Sequence, residues 1–514
     1  MAYCDYAGAA LPAREQLTAI NERLLTFPLA NPHSRHAVSG NTMALVEASK
    51  QRIYAHLHTT PEEYDLVFTF NTTHSIHMIA ECFVFPPREG SGRPHMALDL
   101  LDRKGGPSYV YLLDSHTSVV DTVCCISDIP TEWEGIPKTA SNHSLFVMTA
   151  MSNFCGRKYP LSAVEKMQER GFSVFLDAAS FVSCSPLRLD RVQPHFVGFS
   201  FYKMFGYPTG LGALLIHRSA RGLLKKNSFA GGTVRSYLPQ ELYHIDKDDF
   251  HRRFEEGTPN YFAMAAVREG YEQLDRQGGI EAIHAHTNSI LVAARDMLRG
   301  LKHANGKDVV VIYEHDDNPD PSTKGPTIAF NVKRHDDSWV GFIEVEKMAD
   351  LFGIHLRTGC FCNAGACQKY LGLTNEELKF NFESGKKCGD QVDLIDGRPV
   401  GALHDSAPSP QRLSYGTERR LAELLFQNLV FIIAPQDHES CMEVAKHGMN
   451  LAILNARLKE LRRKFNGSVH RHQHLRKIEM RSKADMEWNA FILSRRPLSS
   501  FIEELNAEEE SMEK

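Results

Sequence analysis

The sequence predicts an α/β fold with a mainly parallel sheet in a large domain, a smaller α+β domain after it, and a helical C-terminal tail. Three observations predict it. Between 64 and 217 short apolar runs alternate with helix-like stretches, the pattern of strands covered on both faces. From about 276 one long amphipathic stretch gives way to short mixed strands and helices. Beyond about 436 leucines recur at helical spacing among many basic residues.

Composition narrows the class. The chain has 514 residues, enough for two to four domains, and its 42% hydrophobic and 24% charged content is that of a globular protein. A net charge of −5 gives no reason to expect nucleic acid as a partner. No apolar run approaches the roughly 18–20 residues that span a bilayer, so no membrane is expected. The start, "MAYCDYAGAA", has neither the basic-then-apolar order of a signal peptide nor the Arg-rich order of a transit peptide. A cytoplasmic location is expected, with the eleven cysteines reduced. Most of them, such as Cys82, Cys184 and Cys441, are expected as small buried hydrophobes.

The elements follow in order. Residues 1–25 are expected to join the small domain, and 26–275 to form the large one. Its strands are "YDLVFTF", "SYVYLLD", "HSLFVMTAM", "FSVFLDAA", "HFVGFSF" and "LGALLIH". Ligands of open sheets bind beyond the carboxyl ends of the strands. The residues found there are Thr72 and Thr73, His116, Asn153, Asp177, and Ser200 with Lys203. Any one of these alone reads as a helix cap or turn residue. Together they mark a site. Residues 276–435 form the small domain: "GGIEAIHAHTNSILVAARDMLRGL" is a long amphipathic helix and "DDNPDPSTKGP" a turn-rich loop. "PTIAFNV" and "VGFIEVEKMADLFGIHLRTG" then lead to the cysteine stretch "RTGCFCNAGAC" at 357–367. In the tail, 436–514, Leu451, Leu454, Leu458, Leu461 and Phe465 share one helical face and Arg457, Lys459, Arg462, Arg463 and Lys464 decorate the others. Such a helix packs on the body or on a partner subunit; contact with RNA or lipid is the weaker alternative.

Lys203 carries the chemistry. It lies in "FSFYKMFGYPTGLGALLIHR", in what reads as a turn between two apolar strands, followed by three glycines. Apolar surroundings lower a lysine's pKa, which Schiff-base chemistry needs. Asp177 supplies the partner of a pyridinium nitrogen, and His116 can stack on the ring's other face. The helix at "THSIHMIAE" offers backbone N–H groups and the Thr73 hydroxyl to a phosphate. These roles fit pyridoxal 5'-phosphate. No Gly-x-Gly-x-x-Gly opens a helix and no P-loop is present, which disfavours dinucleotide and ATP. Cys360, Cys362 and Cys367, with Cys388 as a possible fourth ligand, lack the paired C-x₂-C spacing of structural zinc. A redox pair and a single reactive thiol stay open on spacing alone.

"SFYKMFGYPTGLGALL" and "RTGCFCNAGAC" resemble the pyridoxal phosphate-dependent sulfurase domain of the molybdenum cofactor sulfurases. These are relatives of the cysteine desulfurases within the class V aminotransferase group. "YCDYAGAAL", "EEYDLVFTFNTTHS", "DSHTSVVD", "FEEGTPNY", "CGDQVDLIDGRPVGA" and "RLSYGT" extend the resemblance over about 1–435. It implies a type I pyridoxal phosphate-dependent transferase fold, usually a homodimer with the site near the subunit boundary. It implies Lys203 as the residue joined to the cofactor and as catalytic base, Asp177 on the ring nitrogen and His116 over the ring. Thr73, Ser200 and, from the neighbouring subunit, Thr258 would hold the phosphate, with Asn153 in the cofactor and substrate site. Cys362 aligns with the persulfide-forming cysteine. Arg412 matches the arginine that grips the substrate carboxylate, and Arg357 lines the same pocket. The small residues "NAGA" at 363–366 suit a mobile loop bringing Cys362 in, and Cys360 and Cys367 are then bystanders or secondary sulfur relays.

The sequence departs from that family's pattern in four places. Ser180 stands where many desulfurases have Gln. Ala364 replaces a proline, which predicts a looser loop. "LHDSAPSPQ" intervenes directly before Arg412, where it could displace the carboxylate grip. A basic helical tail follows where the family continues into a β-rich domain that binds the molybdenum cofactor. The implied activity converts L-cysteine to alanine with a persulfide on Cys362, and passes the sulfur to the molybdenum cofactor (Mo=O to Mo=S) or to a protein acceptor, with no resident metal. A separate protein would then supply the cofactor-binding domain. The alternatives are a pyridoxal phosphate-dependent C–S lyase or aminotransferase of specialised metabolism without persulfide relay, and a non-catalytic relative that binds a protein through the basic tail.

Overall fold

The computed structural model describes residues 2–84, 109–120 and 144–406, apart from residues 227, 242, 317–319, 352, 388 and 391. Arg412, Cys388, Cys441 and the basic tail with Leu451 and Arg457 therefore lie outside the described residues.

The chain opens with β1 (Ala2–Tyr3), which pairs in parallel with Ile354–His355 of the small domain. Cys4 continues into the small domain's core. Helices α1 (Arg14–Thr26) and α2 (Ala37–His56) then pack against a long helix at 261–276, where Arg23 pairs with the buried Glu269. The first 25 residues thus divide. Their strand joins the small domain and their helix the large one.

The large sheet has six strands: β2 (Tyr64–Thr69), β3 (Tyr109–Tyr111), β4 (Ser144–Thr149), β5 (Phe172–Asp177), β6 (Phe196–Ser200) and β7 (Gly212–His217). Their order is β2-β7-β6-β5-β4-β3. β3 to β6 run parallel, and β7 is antiparallel to β2 and β6 on either side of it. Every residue of β2, β4, β5 and β6 is buried, which is why their apolar runs are continuous rather than alternating. Both faces carry a core. Phe146, Val174, Leu176, Val197 and Phe199 point to one side, and Leu145, Val147, Phe175 and Phe196 to the other. Each such side chain contributes about 1.5–3 kcal/mol when fully buried.

Four helices follow strands of this sheet: α3 (Thr72–Cys82), α4 (Thr117–Val120), α5 (Ala163–Glu169) and α6 (Phe201–Phe205). A hairpin of β8 (Val234–Leu238) and β9 (Tyr243–Asp246) stands off the body. α7 (Tyr261–Arg276) then covers the first face with Ala263, Met264, Val267 and Tyr271, while Ile76 and Ile79 of α3 cover the second.

α8 (Gly279–Gly300) is the predicted amphipathic helix, and Gly278 before it takes φ 92°, a left-handed value that suits glycine. Its Ile283 belongs to the large core, its Leu291 and Leu298 to the small one. Next come β10 (Val310–Tyr313), β11 (Thr327–Lys333), β12 (Trp339–Val340), α9 (Phe342–Leu351), β13 (Ile354–His355) and β14 (Arg357–Gly359). α10 (Ala364–Leu371), α11 (Asn375–Glu383), the hairpin β15 (Leu394–Ile395) and β16 (Arg398–Pro399), and β17 (Ala402–Ser406) complete the described chain. The small sheet is antiparallel, in order β10-β11-β17-β14 with β12 beside β11. β17 takes in the start of the polar segment expected to intervene before 412, and Leu403 and His404 within it are fully buried. Those residues form a central strand rather than a surface loop. No helix among the described residues is long and apolar enough to cross a membrane.

Candidate active site

The carboxyl ends of the parallel strands open on a cleft. Thr73, His116, Asn153, Asp177, Ser200 and Lys203 all line it, together with Thr72, Ser118 and Ser180. The strand-end rule thus places seven predicted residues, Thr72 among them, in one space. Lys203 sits in the short helix α6, not in a plain turn, and Gly206 ends that helix at φ 78°.

One corner of the cleft is rich in hydroxyls. The Thr72 amide donates to Ser200 Oγ at 2.9 Å, and the two hydroxyls lie 2.7 Å apart. Thr73 Oγ1 and Ser118 Oγ are likewise 2.7 Å apart. All of this surrounds the N-terminus of α3, whose first N–H groups have no partner within the helix. The arrangement suits an oxyanion. Thr258 is exposed on the loop after Gly257 and does not line this corner within the chain.

The charged groups are set by burial. Burial pushes the Lys203 ammonium below the usual lysine range, while Asp177, Cys362 and Asp5 oppose the shift and Arg357 adds to it. Burial raises the Asp177 carboxyl, opposed by the Ala179 N–H at 3.1 Å and by Lys203. His116 is pushed down to about 4, first by burial and then by Lys203 and Arg357. The Ser118 amide donates to its Nδ1 at 3.1 Å, so the neutral ring carries its proton on Nε2. An amine, a buried carboxyl, a neutral imidazole and a hydroxyl-lined helix N-terminus fit a planar aldehyde with a ring nitrogen and a phosphate. That is the donor set pyridoxal phosphate requires.

The cysteine stretch lies beside the cleft, tied to it through Asn153 and Thr117. Cys362 is exposed, and Arg357 Nη2 lies 3.8 Å from its Sγ while Nη1 lies 4.0 Å from Asp5. Phe361 and Cys362 take φ 55° and 57°, left-handed values uncommon outside glycine. The Thr117 amide donates to the Cys362 carbonyl at 2.8 Å, and Asn153 Nδ2 to the Phe361 carbonyl at 2.6 Å. Asn153 therefore lines the cleft and holds the cysteine turn at once.

Two expectations are corrected here. "NAGA" is not a mobile loop. Asn363 caps α10, its Oδ1 accepting from the Ala366 amide at 3.0 Å; Ala366 is fully buried, and Gly365 lies hard against the Leu113 carbonyl. Ala364 occupies the first helical position, where proline is also at home, so its presence leaves the helix start closed rather than looser. Cys360 and Cys367 are not free thiols either. The left-handed pair between them turns the chain back and brings their Cα atoms within 5.4 Å, joined as a disulfide. Cys4, Cys82, Cys155 and Cys184 are buried, as small hydrophobes would be.

Sequence reasoning missed Asp114. Its buried carboxyl accepts from Ser152 Oγ at 2.6 Å, Asn363 Nδ2 at 2.7 Å and Tyr159 OH at 3.1 Å. A charged residue at the end of an apolar strand, two before His116, was the available signal. Tyr202, which lines the cleft beside Lys203, and Asp5 were missed as well, and nothing local marks them.

Residues 131–376 match the family model "Aminotransferase class-V". Molybdenum cofactor sulfurase of Caenorhabditis elegans is 45% identical over 419 residues, covering 79% of this chain and 58% of that protein. Molybdenum cofactor sulfurase of Homo sapiens is 39% identical over 464 residues, covering 85% and 50%. The chain thus spans little more than half the length of the curated relatives it matches. The apo structure of a cysteine desulfurase from Thermococcus onnurineus NA1 superposes with a TM-score of 0.63 at 17% identity, covering 83% of this chain and 94% of that one. That likeness shows a shared fold, that of type I pyridoxal phosphate-dependent transferases.

Proposed function

We propose a function from one premise: this chain belongs to the molybdenum cofactor sulfurase family of class-V aminotransferases. It is a pyridoxal phosphate-dependent sulfurtransferase that takes sulfur from L-cysteine, releases alanine and carries the sulfur as a persulfide on Cys362. The observation that carries this reading is one cleft holding Lys203, Asp177 and His116, with the carbonyl of Cys362 tied to the residue after that histidine.

Pyridoxal phosphate, held by Lys203, Asp177, His116 and the corner of Thr72, Thr73 and Ser200, supplies an electron sink beside the substrate's Cα. Lys203 does the proton transfer. Burial favours its neutral amine, so Nζ can accept the Cα proton and return one later. Asp177 brings a carboxyl to the cleft and His116 a neutral ring. Arg357 offers its guanidinium to the substrate carboxylate from the cysteine side, a role shared with Arg412 from outside the described residues. Cys362 Sγ takes the sulfur: the new S–S bond forms as the substrate's Cβ–S bond breaks, and a proton on the resulting carbon skeleton completes alanine.

The sulfur acceptor is the molybdenum cofactor, where Mo=O becomes Mo=S, or a protein. The setting is the cytoplasm. The working unit is a homodimer, supported by the exposed Phe229, Tyr237, Leu238 and Tyr243 on and beside the β8–β9 hairpin, and a second copy would bring Thr258 to the phosphate corner. The test incubates purified protein with L-cysteine and measures alanine together with the mass of the Cys362 peptide. One added sulfur on Cys362 per protein chain is expected. Alanine or sulfide released with no sulfur on Cys362 would overturn the relay in favour of a C–S lyase.

A further inference from the structure

The turn that carries Cys362 is strained and exposed, yet held in one place. Two consecutive non-glycine residues with positive φ cost free energy that surrounding contacts must offset. Asn363 Nδ2 donates both to Asp114 Oδ1 at 2.7 Å and to Asn153 Oδ1 at 3.0 Å, and its own Oδ1 caps α10. Asn153 in turn donates to the Phe361 carbonyl. Ser152 and Tyr159 fix the Asp114 carboxyl from the β4 side.

Among the described residues the side-chain partners of Asp114 are all donors, so the site takes an acceptor at 114. Burying a carboxyl is costly, and an apolar residue there would serve packing as well. The cost makes sense if the group has a positional task. We propose that Asp114, acting through Asn363, is a positioning residue that latches the Phe361–Cys362 turn and so sets where the sulfur-bearing Sγ stands relative to the cleft. This deepens the desulfurase reading and rests on it. The latch spans 249 positions of sequence and ties the loop before α4 to the start of α10.

The test reverses the polarity of the pair. Asn363→Asp sets two carboxyls against each other, and adding Asp114→Asn restores one donor and one acceptor with the direction exchanged. Aspartate caps a helix as well as asparagine does, so α10 keeps its cap in both. In holoenzyme given L-cysteine, Asn363→Asp is expected to load Cys362 with sulfur about 100-fold more slowly, the order of loss that misplacing a reacting group causes. KM and the cofactor's absorbance should stay within about twofold, and the double variant should recover at least about tenfold. Loading unchanged in the single variant, or no faster in the double than in the single, would overturn the latch. Amide hydrogen exchange over 360–367 reads the same pair without catalysis: it should quicken in Asn363→Asp and slow again in the double variant. If the wild type loads no sulfur at all, the desulfurase reading fails, and exchange alone then decides the latch, an unchanged rate counting against it. Should Asn363→Asp not fold, Asn363→Ser keeps a cap but cannot span to Asp114, and the same two readouts apply.

Discussion

The amide of Thr117 donates a 2.8 Å hydrogen bond to the carbonyl of Cys362. The residue before Thr117 is His116, whose ring lines the cleft. The group proposed to cover the cofactor and the group proposed to receive sulfur are therefore joined through one peptide unit and one hydrogen bond.

Lys203→Ala removes the amine whose pKa burial lowers. Alanine formation should fall by about 10²–10⁴-fold, the range for loss of a positioned acid–base group. The near-visible absorbance of protein-linked pyridoxal phosphate should disappear with it, read by a spectrum taken after gel filtration.

Cys362→Ala separates binding from sulfur capture. Its cofactor spectrum should match the wild type, because Cys362 stands at the exposed end of the site. Alanine release should drop by about 10²-fold or more, as deletion of a nucleophile does. A variant that still turns over at the wild-type rate would point to the lyase.

Gly365→Ala probes the close packing behind the turn. A β-carbon at 365 would collide with the backbone carbonyl of Leu113, which cannot move aside as a side chain would. Stability should fall by about 1–3 kcal/mol, the usual cost of overpacking. Sulfur loading should fall while the cofactor spectrum holds, since α10 and not the cleft is pushed away.

His404 should contribute to an acid transition. It is fully buried on β17 with its ring 4.7 Å from Phe361, and burial, reinforced by Arg357, pushes it down to about 3. The folded state thus keeps the ring neutral where the unfolded chain protonates it. Its contribution is complete above about pH 6.5 and is lost progressively as pH falls towards about 3. His404→Asn should flatten stability against pH in that window by about 1.4 kcal/mol per pH unit, measured by chemical denaturation.

Much of the site is legible in the sequence because strand ends are. An apolar run that stops at a polar residue announces where the sheet ends, and the runs before His116, Asn153, Asp177 and Lys203 all do so. Cys362 could be singled out only through likeness to a family, since C-x-C-x₄-C permits several chemistries. The Cys360–Cys367 bond was illegible because it depends on two backbone angles at residues that seldom adopt them. β17 was illegible for another reason: "LHDS" has the polarity of a loop, and only the two strands flanking it make the middle of a sheet of it. Asp114 and Asn363 lie too far apart in the chain for any pattern to connect them.

α8 runs for 22 residues, some 33 Å at the usual rise, with one end seated in each hydrophobic core. A rod anchored at both ends resists hinge bending between the halves it joins. For the proposed sulfur transfer, transport over any distance then falls to the recipient, which comes to a stationary outlet, and the shape of that visitor becomes the natural determinant of who is served.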